Sequence, residues 1–425
     1  MLGSGLGRSR MPSFVFRPGA GCGQRDETEA KAPAPRRMRR GGRATKGTEM
    51  KNGLGRSLAV LGVAGLAAAG GRAEEDVAAR LNALEARVGE LSQGMGGAGL
   101  EAAQIHGYGE LHYNNLSGEG GASDKEEVDF HRFVLFLGYD FTPRIHFRSE
   151  LEVEHAVTGG DEPGEVELEQ AFLDFDVHDR HTVRAGLFLV PVGLLNTTHE
   201  PPRFYGVERN PVETAILPTT WWEAGAGLHG DLGGGFRYEA YLHSGLNIAT
   251  GTQYAVRGGR QKVGEARASD PAATLALSWS IPGITLGGAM HHQTDVSQGG
   301  DPEAGSAWLG EVHADVRKGP FGLRALYAEW TLDGTGPEMA GADRQFGWYV
   351  EPSMRVAEQI GLFARYSEWD NRAGDDDVSS RKRQVNAGVN WWPHEQVVVK
   401  ADYQWQDHRD GRNQDGINLG LGYEF

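Results

Sequence analysis

Gly416-Ile417-Asn418-Leu419-Gly420-Leu421-Gly422-Tyr423-Glu424-Phe425 closes the chain. Ile417, Leu419, Leu421, Tyr423 and Phe425 take alternate positions, and Asn418, Gly420, Gly422 and Glu424 take the others. A strand has a side-chain period of two, so the stretch presents one apolar face with an aromatic end and one small or polar face. A soluble sandwich would normally follow its last strand with a polar tail. Ending on the strand, at an apolar aromatic residue, suits a sheet that closes on itself in lipid, where no edge can be left unpaired. That reading requires the rest of the chain to repeat the pattern.

From Gln104 onwards it does. Sixteen strand-like segments have cores near 105–113, 130–141, 145–155, 166–177, 182–190, 221–230, 236–244, 274–281, 284–291, 307–317, 321–330, 346–355, 361–369, 384–392, 397–406 and 416–425. In the third, Ile145, Phe147, Ser149, Leu151 and Val153 alternate with His146, Arg148, Glu150, Glu152 and Glu154. In the second, Phe133 to Leu137 is apolar on both faces. Connections alternate short and long: 142–144, 178–181, 231–235, 282–283, 318–320, 356–360 and 393–396 are short, and Gly-rich, charged stretches fall between them. Short turns on one side and long loops on the other, over an even number of strands, are the signature of a transmembrane barrel. The expected fold is therefore all-β, a transmembrane antiparallel β-barrel of about 16 strands over 104–425, with both chain ends on the short-turn, periplasmic side. Tyr139, Phe141, Trp221, Trp222, Trp391, Trp392, Tyr403 and Trp405 lie near strand ends, as interfacial aromatic girdles do.

Composition agrees. Mean hydropathy is negative, as in barrels whose strands turn every second residue to water. Beyond the N-terminal region no apolar run is long enough for a membrane-spanning helix. Glycine is 63 of 425 residues, well above the usual ~7%, as many tight turns and loops require. The only cysteine is Cys22, so no disulfide framework or thiolate metal site is expected.

The N-terminal region reads as processing sequence followed by a helix. A basic stretch, 51–56, precedes a compact apolar run, Leu58 to Ala69, then small residues and Glu74-Glu75-Asp76. This is the layout of a secretory signal peptide over 50–73, with cleavage expected after Ala73 or, failing that, Ala69. Met50 is then the expected start, and 1–49 upstream sequence with no periodicity. Residues 1–73 hold 14 of the 42 basic and 4 of the 58 acidic residues, leaving 28 and 54, a formal charge of −26 for the mature chain. Val77, Leu81, Leu84, Val88 and Leu91 follow the four-three spacing of a coiled-coil seam. A short periplasmic coiled-coil helix is expected over 74–93 and a flexible linker over 94–103.

The third long connection, 191–220, differs from the others. It holds five prolines together with Leu194, Leu195, Phe204, Ile216 and Leu217. Proline reduces the entropy lost on ordering, and the apolar side chains need something to pack against, so a folded loop inside the barrel or against a neighbouring protomer is expected. Gly186-Leu187-Phe188-Leu189-Val190-Pro191-Val192-Gly193-Leu194 resembles the fifth strand and third-loop entry of the phosphate-selective porin O and P group. The terminal Phe425 resembles the assembly signal of bacterial outer-membrane barrels. At the level of architecture 74–425 is similar to the sixteen-stranded trimeric porins, and a coiled coil ahead of the barrel is similar to a dicarboxylate-type porin group. The resemblance implies a Gram-negative outer-membrane porin: a homotrimer set in lipid and lipopolysaccharide, passing small hydrophilic solutes or ions through a water-filled lumen narrowed by the third loop. The other readings are a phosphate- or anion-selective channel and, in a different class, an adhesin-like barrel with a plugged lumen. Members of the group have a strongly basic pore; the acidic mature chain departs from that.

The residues expected to line the pore, from the polar face of each strand, are Arg148, Glu150, Glu152, Arg184, Arg237, Arg317, Arg324, Arg355, Arg365 and Lys400. Most of the basic ones fall near short turns, which suggests a basic belt; the alternative is that acids and bases pair and brace the wall. The residues expected at the constriction are His199, Glu200, Arg203, Phe204, Tyr205, Glu208, Arg209 and Glu213. No catalytic, cofactor-binding, metal or nucleic-acid constellation stands out. His291-His292 and His178/His181 lack the partners a metal would need.

Overall fold

The computed structural model describes residues 103–425 apart from 160–161 and 376–379. The upstream stretch, signal peptide and coiled-coil helix expected over 1–93 lie outside the described residues, as does the linker up to residue 102.

Sixteen strands form one closed antiparallel barrel in which each pairs with its sequence neighbours. They are β1 (Ala103–Gly118), β2 (Lys125–Thr142), β3 (Ile145–Glu154), β4 (Val166–His178), β5 (His181–Leu189), β6 (Trp222–Gly233), β7 (Phe236–His243), β8 (Ala272–Ile281), β9 (Ile284–Gln293), β10 (Ala307–Lys318), β11 (Phe321–Leu332), β12 (Arg344–Ala357), β13 (Ile360–Asp370), β14 (Lys382–His394), β15 (Val397–Gln406) and β16 (Gln414–Glu424). Two residues separate the strands at every second connection, from 143–144 to 395–396, and longer loops fill the other positions. Closure is made by β16 on β1, in register from Gly118↔Gln414 to Tyr108↔Glu424. The main chain of Phe425 extends it: its N–H donates to the Gly107 carbonyl at 2.8 Å and its carbonyl accepts from the Gly107 N–H at 2.9 Å.

The two faces are inverted relative to a water-soluble fold. Ile417, Leu419, Leu421 and Phe425 point outwards and are exposed, as are Leu242, Leu277, Met290 and Val312. Glu110, Glu150, Glu152, Glu169 and Asn418 point inwards and are buried. Such an exterior is stable in hydrocarbon, and barrel closure satisfies every strand edge. No described helix is long and apolar enough to cross a membrane; the strands do so.

The expected aromatic girdle needs correction at three positions. Phe141, Trp391 and Trp405 are outward and exposed, but Trp221, Trp222 and Trp392 are buried. Trp221 joins apolar packing inside the barrel with Val192, Ile216, Leu246, Ile248 and Trp330. Trp392 lies on the inner face, its ring under the Arg355 guanidinium at 3.6 Å. Consecutive tryptophans must point to opposite faces, so a pair such as Trp391-Trp392 cannot both reach lipid.

Candidate functional site

The β5–β6 connection, residues 190–221 (loop 3), lies inside the barrel and is folded in its own right. Its neck is clamped by Asn196, whose amide donates to the carbonyls of Val190 (2.7 Å) and Trp221 (2.8 Å) and accepts from the Trp221 N–H (2.8 Å). A single helical turn, Pro211–Ala215, begins at Asn210, whose side chain accepts from the Glu213 N–H at 2.9 Å. Asn at the cap and proline at the first helical position are the residues that geometry favours. The buried Glu213 carboxylate then accepts from Leu194 N–H (2.8 Å), Leu195 N–H (2.6 Å) and Tyr349 Oη (2.8 Å), tying both ends of the loop to β12.

The loop crosses to the far wall. Val207 N–H donates to Asp402 at 2.7 Å and Asn390 donates to the Phe204 carbonyl at 3.1 Å. Arg365 donates to the carbonyls of Tyr205 (3.2 Å) and Glu208 (3.3 Å), and Lys400 Nζ sits 3.5 Å from the centre of the Phe204 ring. Asn114 donates to Glu208 at 3.1 Å, and Arg203 pairs with Glu424 at 3.2 Å. Glycine makes the approach possible. A β-carbon on Gly422 would lie 2.3 Å from Pro201 Cβ, and one on Gly420 3.1 Å from Val207.

All ten wall residues expected from the sequence are in the inward register, but they do different work. Arg365 and Lys400 hold loop 3, and Arg365 also pairs with Glu351 at 3.1 Å. Glu150 is buried against His199 (3.2 Å) and Gln170 (2.7 Å), and Glu152 lies 3.6 Å from Arg132. Near the short turns, Arg148 meets Asp140 (2.8 Å), Arg184 meets Asp174 (2.8 Å), and Arg317 and Arg324 share Asp315 (2.9 and 3.0 Å). Arg355 stacks on Trp392; Arg237 is exposed at the strand end. The aspartates on the same inner face were the part the belt reading left out.

A cavity lies on each side of the loop. The one towards the short turns, about 970 Å³, is lined by Arg203, Phe204, Tyr205, Asp315, Arg317, Arg324, Glu351, Arg355 and Trp392. A separate pocket on that side includes Glu200. The cavity towards the long loops, about 460 Å³, has acids on one flank (Glu154, Glu167, Glu169) and cations on the other (Arg209, Arg257, Arg260, Lys262). Arg257, Arg260 and Lys262 come from the β7–β8 loop, 244–271, which packs on loop 3. Arg257 donates to the carbonyls of Thr214 and Thr219 (both 2.8 Å), and Arg209 to Thr220 Oγ1 (2.8 Å). Among the described residues Arg209 Nε and Nη2 and Arg260 Nε have no hydrogen-bond partner. Arg257 is exposed to the cavity yet enclosed by the barrel; that enclosure, with Arg260 and Arg209 nearby, lowers its guanidinium to about 10. Lys262 pairs with Glu165 at 2.5 Å and with Glu167. Sequence reasoning named Arg209 but missed the other three. The available signal was three cations within six residues, 257–262, in an acidic chain.

The geometry also gathers groups able to hold a metal ion: Asp129, His131 and His155; His112, His131 and Glu208; and Glu150, Glu169 and His199. Each trio joins residues from at least two separate elements, so histidine spacing in the sequence did not reveal them.

The family model described as phosphate-selective porin O and P matches residues 105–425. A curated protein of Aquifex aeolicus (strain VF5), itself uncharacterized, is 30% identical over 354 residues, covering 76% of this chain and 80% of its own length. Among solved structures, the anion-selective porin from Comamonas acidovorans aligns with a TM-score of 0.55 at 11% identity, covering 76% of this chain and 99% of that one. The outer membrane channel DcaP of Acinetobacter baumannii aligns at 0.52 and 12%, covering 76% and 97%. At such identities the structural likeness concerns the fold alone. The match to the family model over the whole barrel, with the relative's, carries the assignment: the chain belongs to the phosphate-selective porin O and P family and is an outer-membrane porin, a channel that passes small solutes and catalyses no reaction.

Proposed function

We propose that residues 191–220 form the constriction of this porin and that its solutes are small anions. The observation that carries the first half is the docking of loop 3 on the opposite wall through Asp402, Asn390 and Arg365. The second half rests on Arg209, Arg257 and Arg260, whose guanidinium groups face one cavity, where Arg209 and Arg260 keep donors without hydrogen-bond partners among the described residues. Close like charges are unfavourable until an anion joins them, and donors enclosed by low-dielectric walls favour a passing anion more than the net charge of distant loops does. Glu154, Glu167 and Glu169 on the other flank keep the attraction shallow enough for release. Phosphate and other small oxyanions fit guanidinium forks. Of the short-turn arginines, Arg148, Arg184, Arg317 and Arg324 are paired with neighbouring aspartates and contribute less.

The test is the reversal potential of the purified porin in planar bilayers under a salt gradient. Wild type should be anion-selective, and Arg257→Gln with Arg260→Gln should shift the potential towards cations. A wild-type channel that prefers cations would overturn the anion reading; a barrel with no conductance would favour the adhesin-like alternative. The reading extends to a homotrimer with periplasmic termini and acidic outer loops against lipopolysaccharide, supported by the heptad seam over 76–93 and by the parity of short and long connections. Removing 74–93 should weaken the oligomer in mild detergent and leave the barrel folded; a monomeric wild type would count against it.

A further inference from the structure

We propose that the lumen carries a transition-metal site on the long-loop side of loop 3, built on Asp129, His131 and His155, with His112 and Glu208 beside it. The site depends on a β-bulge. The β1–β2 ladder runs from Glu110↔Arg132 to His112↔Asp129, so Leu111 alone faces both Phe130 and His131. Strict alternation inwards from Arg132 would send His131 to lipid and Phe130 to the lumen. The extra residue restores Asp129 to the inner face and brings His131 with it. Bulges commonly re-aim side chains at functional positions. The His131 ring now stacks on His112 with centroids 4.6 Å apart, and its Nδ1 lies 2.9 Å from Asp129.

His155 completes the trio from the adjacent strand end. It is the first residue past β3, and its backbone adopts φ +52°, which is uncommon for a side-chain-bearing residue. Its N–H donates to the His131 carbonyl at 3.2 Å, and its Nδ1 lies 2.9 Å from both Asp129 oxygens. Loop 3 adds Glu208, 3.2 Å from His112 Nδ1. In each trio the donor atoms lie within 4.8 Å of one another. His112, His131, His155 and Glu208 all line the 460 Å³ cavity, which gives an ion a route through water.

Imidazole nitrogens with a carboxylate suit Zn²⁺, Cu²⁺ or Ni²⁺; Ca²⁺ and Mg²⁺ prefer all-oxygen sites. Ligand bonds of about 2.0–2.1 Å in a tetrahedral site separate donors by about 3.3 Å. The present 2.9 Å hydrogen bonds need to open by only a few tenths of an ångström when the ion takes the place of the shared protons. Three protein ligands leave a fourth position for water, Glu208 or a permeating anion. An ion held there adds two positive charges to the lumen wall and narrows the path.

The experiment titrates the full-length porin in detergent, stripped with chelator, with Zn²⁺, Cu²⁺ or Ni²⁺ alone, by calorimetry. Wild type should take up one tight equivalent per chain. His131→Gln should lose at least about tenfold in affinity, since even displacing a supporting residue costs that much. His155→Gln, outside the paired strand, should do the same and serves if the His131 variant fails to fold. His408→Gln, a histidine in the last long loop, should leave the affinity unchanged. In bilayers, Zn²⁺ should reduce the wild-type current and leave that of His155→Gln unaffected. Equal binding by wild type and His155→Gln, or none by wild type, would overturn the proposal and leave a hydrogen-bonded support for the bulge.

Discussion

Both oxygens of the Glu213 carboxylate are used inside the barrel, on Leu194 N–H, Leu195 N–H and the Tyr349 hydroxyl. Glu213→Ala would leave four donors, including Asn210 Nδ2 at 3.0 Å, without this acceptor, at about 1–3 kcal/mol for each buried one. Single-channel conductance should rise as loop 3 loosens, and the melting temperature should fall. Glu213→Gln keeps one acceptor oxygen and should fall between. Gly422 tests the same docking from the wall. In Gly422→Val the new β-carbon meets Pro201 at 2.3 Å, and the ring has no flexible end to yield. Overpacking costs about 1–3 kcal/mol; here it should appear as altered conductance in a barrel that still assembles, read by electrophysiology beside heat-modifiable mobility on gels.

At the scale of elements, four arginines on strands near the short turns have aspartate partners, whereas Arg209 and Arg260 in the loops keep donors without hydrogen-bond partners among the described residues. Arg148 has Asp140, Arg184 has Asp174, and Asp315 serves two arginines. Such partly exposed pairs contribute little to stability, but they cancel one another's field in the pore. Replacing Arg148 and Arg184 together by Gln should therefore move the reversal potential less than replacing Arg257 and Arg260. The opposite ranking would return selectivity to the short-turn belt. The β7–β8 loop also supports loop 3, since Arg257 and Arg260 donate to the carbonyls of Thr219 and Thr220. Loss of these arginines should loosen the constriction as well as its charge, so conductance should rise alongside the selectivity change.

For the whole molecule, closure is the decisive event. Phe425 pairs its backbone with Gly107, and its ring stacks near Phe133 with centroids 6.2 Å apart. Phe425→Ala keeps the backbone pair and removes the ring, so barrels that form should conduct normally. Fewer should form, because an unclosed edge in lipid leaves backbone groups unsatisfied. The folded fraction on semi-native gels checks this, and an unchanged yield would show that the aromatic ring is dispensable.

Strand number, the two faces and the alternation of short and long connections were determined by the amino-acid order alone. Each is a local property: side chains alternate every residue, and Gly, Pro and charge mark where strands stop. Residues 191–220 could be recognised as folded for the same reason, from their proline and apolar content. The tertiary structure decided what those residues touch. Val207 reaches Asp402 and Gly206 reaches Asn390 across 195 and 184 positions of chain, contacts that exist only once the barrel has closed. Strand pairing gave Arg148, Arg184 and Arg324 their aspartates, and the folding of two loops into the lumen set their arginines around one cavity. At β2 a single extra residue turned His131 from lipid to lumen, because a bulge resets the register of a strand and strict alternation cannot foresee it.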